Sequence, residues 1–229
     1  MRRVAFAALC LALAILFAGL GIWQVERRAW KLDLIAKVEG RVRAAPTALP
    51  PRNEWQRDNA YRRVRVTGTF LHDRETLVQA LTALGGGWWV LTPLQTNDGT
   101  ILVNRGYVPD DRRDRATRRE ALPSGSVTIT GLMRATEPGG GFLRNNDPAA
   151  ERWFSRDVAA IAKARNLGPT APFFIDADDT PNPGGFPVGG LTVISFRNNH
   201  LSYAVTWFAL ALLSVAGSVM VLRSGKRRH

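Results

Sequence analysis

Val4–Val25, VAFAALCLALAILFAGLGIWQV, contains no Asp, Glu, Lys or Arg, and neither does Asn198–Leu222, NNHLSYAVTWFALALLSVAGSVMVL. Each run exceeds the ~20 apolar residues that a helix rising about 1.5 Å per residue needs to cross a hydrocarbon core of about 30 Å. All 19 acidic residues fall between them. This division predicts a membrane protein of α+β class. Residues 4–25 form one transmembrane helix and residues 201–222 a second. Residues 26–197 form a single mostly antiparallel β domain outside the bilayer, with one or two helices and strands that suit a small barrel.

The net charge of +12 suggests nucleic acid until its distribution is read. Arg2, Arg3, Arg223, Lys226, Arg227 and Arg228 flank the spans, and the other 25 basic residues face 19 acids. In Asp110–Glu120 the arginines alternate with carboxylates, which a phosphate-binding stripe should not do. No nucleic-acid partner is expected; the partner common to both ends is membrane lipid. Basic residues at both termini read as cytoplasmic and place the domain outside, in the periplasm of a bacterium. Arg27, Arg28, Lys31 and Lys37 oppose that orientation, although long domains translocate largely regardless of charge. The apolar run continues to Trp23-Gln24 with no small-residue cleavage site, so the first span is expected to be retained. Only three residues precede it, which favours a bacterial inner membrane, or a mature chain that has lost a presequence.

Between the spans, Glu26–Arg43 keeps a helical pattern that Pro46, Pro50 and Pro51 terminate. Tyr61–Phe70 alternates as a strand, with Glu75–Ala80 as its expected partner. Gly85-Gly86-Gly87 reads as a chain break. Trp88–Gln95 and Thr100–Val108 form a hairpin through Asn97-Asp98-Gly99. Asp110–Glu120 reads as a solvated loop or short helix, and Ser126–Arg134 as another strand. A helix over Val158–Asn166, capped by Ser155 or Asp157 and stopped by Gly168, leads to a strand over Pro172–Ala177.

Signatures of catalysis are absent: there is no H-E-x-x-H, C-x-x-C, G-x-S-x-G or Walker loop, and no enzyme is expected. The lone Cys10 lies in the first span and reads as an apolar filler in lipid. Of the three histidines, His229 is at the tail and His72 follows a strand. His200 opens the second span, with Tyr203 and Trp207 at i+3 and i+7. Imidazole there can ligate a haem iron or carry a proton; equally, His, Tyr and Trp can form an interfacial belt. The first span leaves the bilayer through Trp23 and Gln24, and Gln24, Arg27 or Arg28, and Lys31 share one helix face. An amphiphile with carboxylate heads suits such a boundary, as does a basic and aromatic anchor on lipid phosphates.

These residues resemble the surfeit locus protein one family of cytochrome c oxidase assembly factors. The resemblance is carried by Gly21-Ile22-Trp23-Gln24 with Arg27-Arg28 and Lys31, Tyr61-x-x-Val64-x-Val66-x-Gly68-x-Phe70, Thr92-Pro93-Leu94, Val103-Asn104-Arg105-Gly106-Tyr107-Val108-Pro109, and Asn198-Asn199-His200-Leu201-x-Tyr203-Ala204-x-Thr206-Trp207-Phe208. Tyr107 stands where the family pattern has Trp, and Ser202 where it has Gln. The resemblance implies an assembly factor for the haem–copper oxidase that helps insert haem a, transiently bound, into the catalytic subunit. It implies His200 as the iron ligand, the only metal-ligating residue, with Tyr203, Trp207, Trp23, Gln24, Arg27 and Arg28 around it. The expected protein partners are the catalytic subunit and the machinery of haem a synthesis. A scaffold that binds oxidase subunits without touching haem is the alternative.

Overall fold

The computed structural model describes residues 2–55, 58–141, 143–194 and 196–226. The chain divides into two compact units, Met1–Glu39 with Ile194–His229, and Gly40–Val193. Arg227, Arg228 and the tail His229 lie outside the described residues.

The first unit is built on helix α1 (Arg2–Arg43) and helix α3 (His200–Lys226), α2 being the short helix Val158–Ala164 of the second unit. Both long helices contain a stretch apolar enough to cross a membrane. The 42 residues of α1 span about 63 Å at 1.5 Å each, so the helix continues well past the apolar run until the prolines stop it. Ala7, Cys10, Ala14, Phe17, Gly21 and Gln24 form its covered seam, at alternating spacings of three and four. On α3 the same spacing recurs at His200, Ala204, Trp207, Ala211, Ser214 and Ser218. That is the period of two helices packed knobs-into-holes. The pairing is antiparallel: Ser218 donates to the Ala7 carbonyl at 3.3 Å, and the Phe17 and Trp207 rings stack at 5.7 Å. Small residues let the backbones approach, and dispersion holds them where lipid offers no hydrophobic drive. Cys10 belongs to this seam, 3.9 Å from a Cβ built on Gly217, and so is buried between helices rather than facing lipid.

The second unit is a closed barrel. Its strands are β1 (Thr47–Ala48), β2 (Arg63–Phe70), β3 (Thr76–Thr82), β4 (Gly85–Thr96), β5 (Gly99–Val108), β6 (Ser126–Ala135), β7 (Gly140–Gly141), β8 (Arg144–Asn145) and β9 (Thr170–Ala177). Five of them close a ring, β2-β6-β9-β5-β4 and back to β2, with β1 and β3 as flanking strands. The β5–β9 and β1–β2 pairs are parallel and the remaining pairs antiparallel. Closure depends on β4, whose first part pairs with β3 up to Leu91 and whose end pairs with β2 from Leu94. Pro93 has no N–H to donate and stands at the changeover, so Thr92-Pro93-Leu94 marks the closing corner. Alternation sorts the side chains. Val64, Val66, Ile101, Val103, Phe173 and Ile175 fill one core, while Leu102 and Phe174 point the other way and pack with Trp153, Val158 and Ile161 under α2. Each such side chain contributes about 1.5–3 kcal/mol by leaving water.

Several local expectations change. β3 pairs with β4, not with β2. Gly85-Gly86-Gly87 does not break the chain but is strand, in register with Thr82, Leu81 and Ala80. The Asp110–Glu120 stretch forms two 3-10 turns, and Arg118 inside it is buried. Helix α2 takes its cap from Asp157, which accepts from the Ala160 N–H at 3.1 Å, and ends at Ala164 with Asn166 at φ 50°, before Gly168 is reached. The Asp98-Gly99 turn stands as expected, with Gly99 at φ 131°.

Candidate functional site at the helix seam

Gln24 and His200 are 176 residues apart in sequence and meet at one end of the α1–α3 seam. His200 Nδ1 lies 2.7 Å from Gln24 Oε1. A side-chain amide oxygen only accepts, so Nδ1 carries the proton and donates. In the neutral form the lone pair is then on Nε2, for which no hydrogen bond is found among the described residues. This is the arrangement in which one ring nitrogen orients the imidazole and the other can bind a metal. Gln24 is almost fully buried, which makes its amide a fixed rather than a mobile partner.

The seam continues beyond this pair. Arg28 and Lys31, one and two turns further along α1, are half-buried on the face that carries Gln24. Of the Arg27-or-Arg28 alternatives, Arg28 holds the seam, while Arg27 is exposed and lies over the Trp30 ring at 3.9 Å. Asn198 has a buried Oδ1 with no hydrogen-bond partner among the described residues. Trp207 is on the seam one turn inside Ala204, but Tyr203 and Trp23 are more than half exposed and project away from it. The expected cluster therefore separates into a seam group, Gln24, Arg28, His200 and Trp207, and an outer group, Trp23, Arg27 and Tyr203. Gly21 belongs to the seam because a Cβ there would stand 2.7 Å from the Phe208 ring.

The barrel holds a second polar cluster that spacing in the sequence does not reveal. Asp176, almost fully buried, accepts from Asn104 at 2.8 Å, Arg134 at 2.8 Å, Arg156 at 3.1 Å and Thr192 at 3.0 Å. Arg156 also forks onto Glu137. Burial acts to raise the Glu137 pKa, but the Arg156 hydrogen bonds and charge hold it below the ordinary value. Arg118 grips Glu75 with bonds of 2.5 and 3.0 Å. Arg105 donates to the Ala121 carbonyl and Asn182, and burial lowers its pKa to about 10, Glu75 opposing the shift and Arg118 adding to it. These contacts explain the Asn104-Arg105-Gly106-Tyr107 motif as architecture. Asn104 reaches Asp176 and also accepts from the Gly106 N–H, Arg105 is a buried brace, and Tyr107 donates to the Gly86 carbonyl at 2.9 Å. Gly106, at φ 129°, lets the Val188 backbone pass against the strand. Among the described residues there is no cluster of three or more His, Cys, Asp or Glu that could hold a metal ion.

The fold and seam define a class: a closed β-barrel inserted between two apolar helices whose seam carries a polar pair. Comparison with known proteins makes the class specific. The model of the SURF1 family matches residues 11–212. Surfeit locus protein 1 of Rattus norvegicus is 39% identical over 210 residues, covering 84% of this chain and 67% of the relative. The human protein of that name is 38% identical over 211 residues, covering 84% and 69%. A SURF1-like protein of Monosiga brevicollis is 37% identical over 233 residues, covering 95% and 88%. The chain belongs to the SURF1 family.

Proposed function

We propose that this protein assists assembly of the haem–copper cytochrome c oxidase at a bacterial inner membrane, with its barrel on the outer side, and that it hands haem a to the catalytic subunit. The observation that carries this reading is the 2.7 Å bond between Gln24 and His200, which joins two of the family motifs into one site and leaves Nε2 without a hydrogen bond among the described residues. Haem a suits that site by its chemistry. Its iron accepts an imidazole nitrogen, its propionates match Arg28 and Lys31, and its apolar body suits helices flanked by lipid. When bound, the group would supply an iron centre that the His200 imidazole would hold. Gln24 orients the ring, and Trp207, one helix face further in, offers an aromatic wall. A site with one ligand and a half-exposed edge favours transient holding over permanent binding, as a carrier requires.

The test is genetic. A strain lacking the gene should make oxidase with reduced haem a content and activity, restored by the natural chain and not by His200→Ala. Full haem a content in the deletant contradicts the assembly role. Full restoration by His200→Ala leaves the scaffold that never touches haem.

A further inference from the structure

Beyond the helix seam, the barrel has its own exposed apolar flank. Among its described residues, the large apolar side chains left exposed are Leu81 at 87%, Leu84 at 54%, Leu143 at 89% and Val193 at 79%. They are not scattered. Leu81 and Val193 form the apolar rim of one groove together with Ala83, Trp89 and Leu191, while Arg134, Arg156 and Asp176 line its polar side. Leu84 sits in the turn between β3 and β4, three residues beyond Leu81. Leu143 lies between β7 and β8, beside Arg144, whose guanidinium bonds Gln79 of β3 at 3.0 Å. Three separate segments thus bring their leucines and valine to one side of β3.

The charges follow the same division. Residues 81–89, 139–146 and 188–193 contain none of the 19 acids, and their only charge is Arg144. Elsewhere in the domain acids and bases are interleaved. Apolar tips, the neighbouring Trp89 and the Arg144 guanidinium, on segments that carry no acid of their own, match the boundary of an anionic bilayer. Chain length keeps such a boundary near. From Val193 to the first residue of α3, His200, seven residues can extend at most about 25 Å. Protruding turns on three segments suit a fluid surface, which needs no shape complementarity, better than a protein partner that would require a continuous patch of about 800 Å².

We propose that this flank, Leu81, Leu84, Leu143 and Val193, rests in the headgroup layer of the bilayer crossed by α1 and α3. The barrel then makes a lipid contact of its own. The inference rests on reading α1 and α3 as membrane spans, and the experiment separates the two. Single nitroxide labels are placed at Leu81→Cys, Leu84→Cys and Leu143→Cys in the full chain carrying Cys10→Ala, in nanodiscs of phosphatidylethanolamine and phosphatidylglycerol. Power saturation compares oxygen, which enters lipid, with a water-soluble nickel chelate. The three labels should be relaxed more by oxygen than by nickel, and a label at Asp98→Cys, on the β4–β5 turn, more by nickel. A label at Leu212→Cys in α3 should favour oxygen in either case; nickel accessibility there would remove the membrane reading itself. Oxygen-rich α3 with water-exposed labels at 81, 84 and 143 overturns the lipid contact. Labels shielded from both agents also overturn it, and give the flank to a second copy of the chain.

Discussion

Asp176 in the barrel and His200 at the helix seam are both covered polar groups, and they differ in what remains open. Asp176 has four donors, two of them arginines, and Arg156 is tied down again by Glu137. Both carboxylate oxygens of that cluster are therefore matched by donors within the fold. Among the described residues His200 has one side-chain partner, Gln24, and a second ring nitrogen without a hydrogen bond, at the end of a seam that continues to the half-buried Arg28 and Lys31. A saturated buried network specifies a fold, whereas a pre-oriented and unsaturated one is ready to bind.

The sharpest way to break this comparison is to empty the saturated site. Asp176→Ala leaves Arg134 and Arg156 without their shared carboxylate and should lower the stability of the barrel by about 3–5 kcal/mol, seen as an earlier denaturant midpoint. An unchanged midpoint with altered ligand binding would reverse the roles of the two clusters. Next in size is the seam itself. Gly21→Val forces carbon into the space of the Phe208 ring and should cost about 1–3 kcal/mol of helix pairing. Its readout is the yield of a disulfide between Cys10 and Gly217→Cys, which should fall; an undiminished yield would mean that the seam tolerates the bulk. The smallest effect concerns pH. Burial lowers the His72 pKa, with Arg105 and Arg115 adding and the Pro123 carbonyl and Glu75 opposing. A depressed folded pKa means stability that is present above the unfolded value of about 6.5 and is lost as pH falls through the folded one. His72→Gln should flatten barrel stability below about pH 6.5, and an unchanged slope there would assign the titration to another group.

The two regions were unequally legible from sequence. The helices and their juxtaposed ends could be read from hydropathy and direction alone, because two antiparallel spans return to the same side. The seam's membership could not, since Arg27 and Arg28 differ only in helix phase, and the 3.5-residue period had to be traced over the whole helix to choose between them. In the barrel, Asp98-Gly99 announced its hairpin by local chemistry. Gly85-Gly86-Gly87 misled because glycine also serves where a side chain would meet a neighbour: a Cβ on Gly87 would meet the Tyr107 ring. Arg118 looked solvated among its charged neighbours because its partner Glu75 is 43 residues away. The Asp176 network joins strands, loop and linker by contacts that only the closed ring creates.

On the proposed function, His200, set by Gln24, holds haem a. The most direct test is the visible spectrum of the full chain, purified in detergent after co-expression with haem a synthesis, beside His200→Ala and Gln24→Leu. The expected result is a haem a spectrum for the natural chain, a lost or shifted one for His200→Ala, and a shifted one with weaker retention for Gln24→Leu, while the barrel's near-ultraviolet circular dichroism stays the same. An identical spectrum and occupancy in His200→Ala would contradict it.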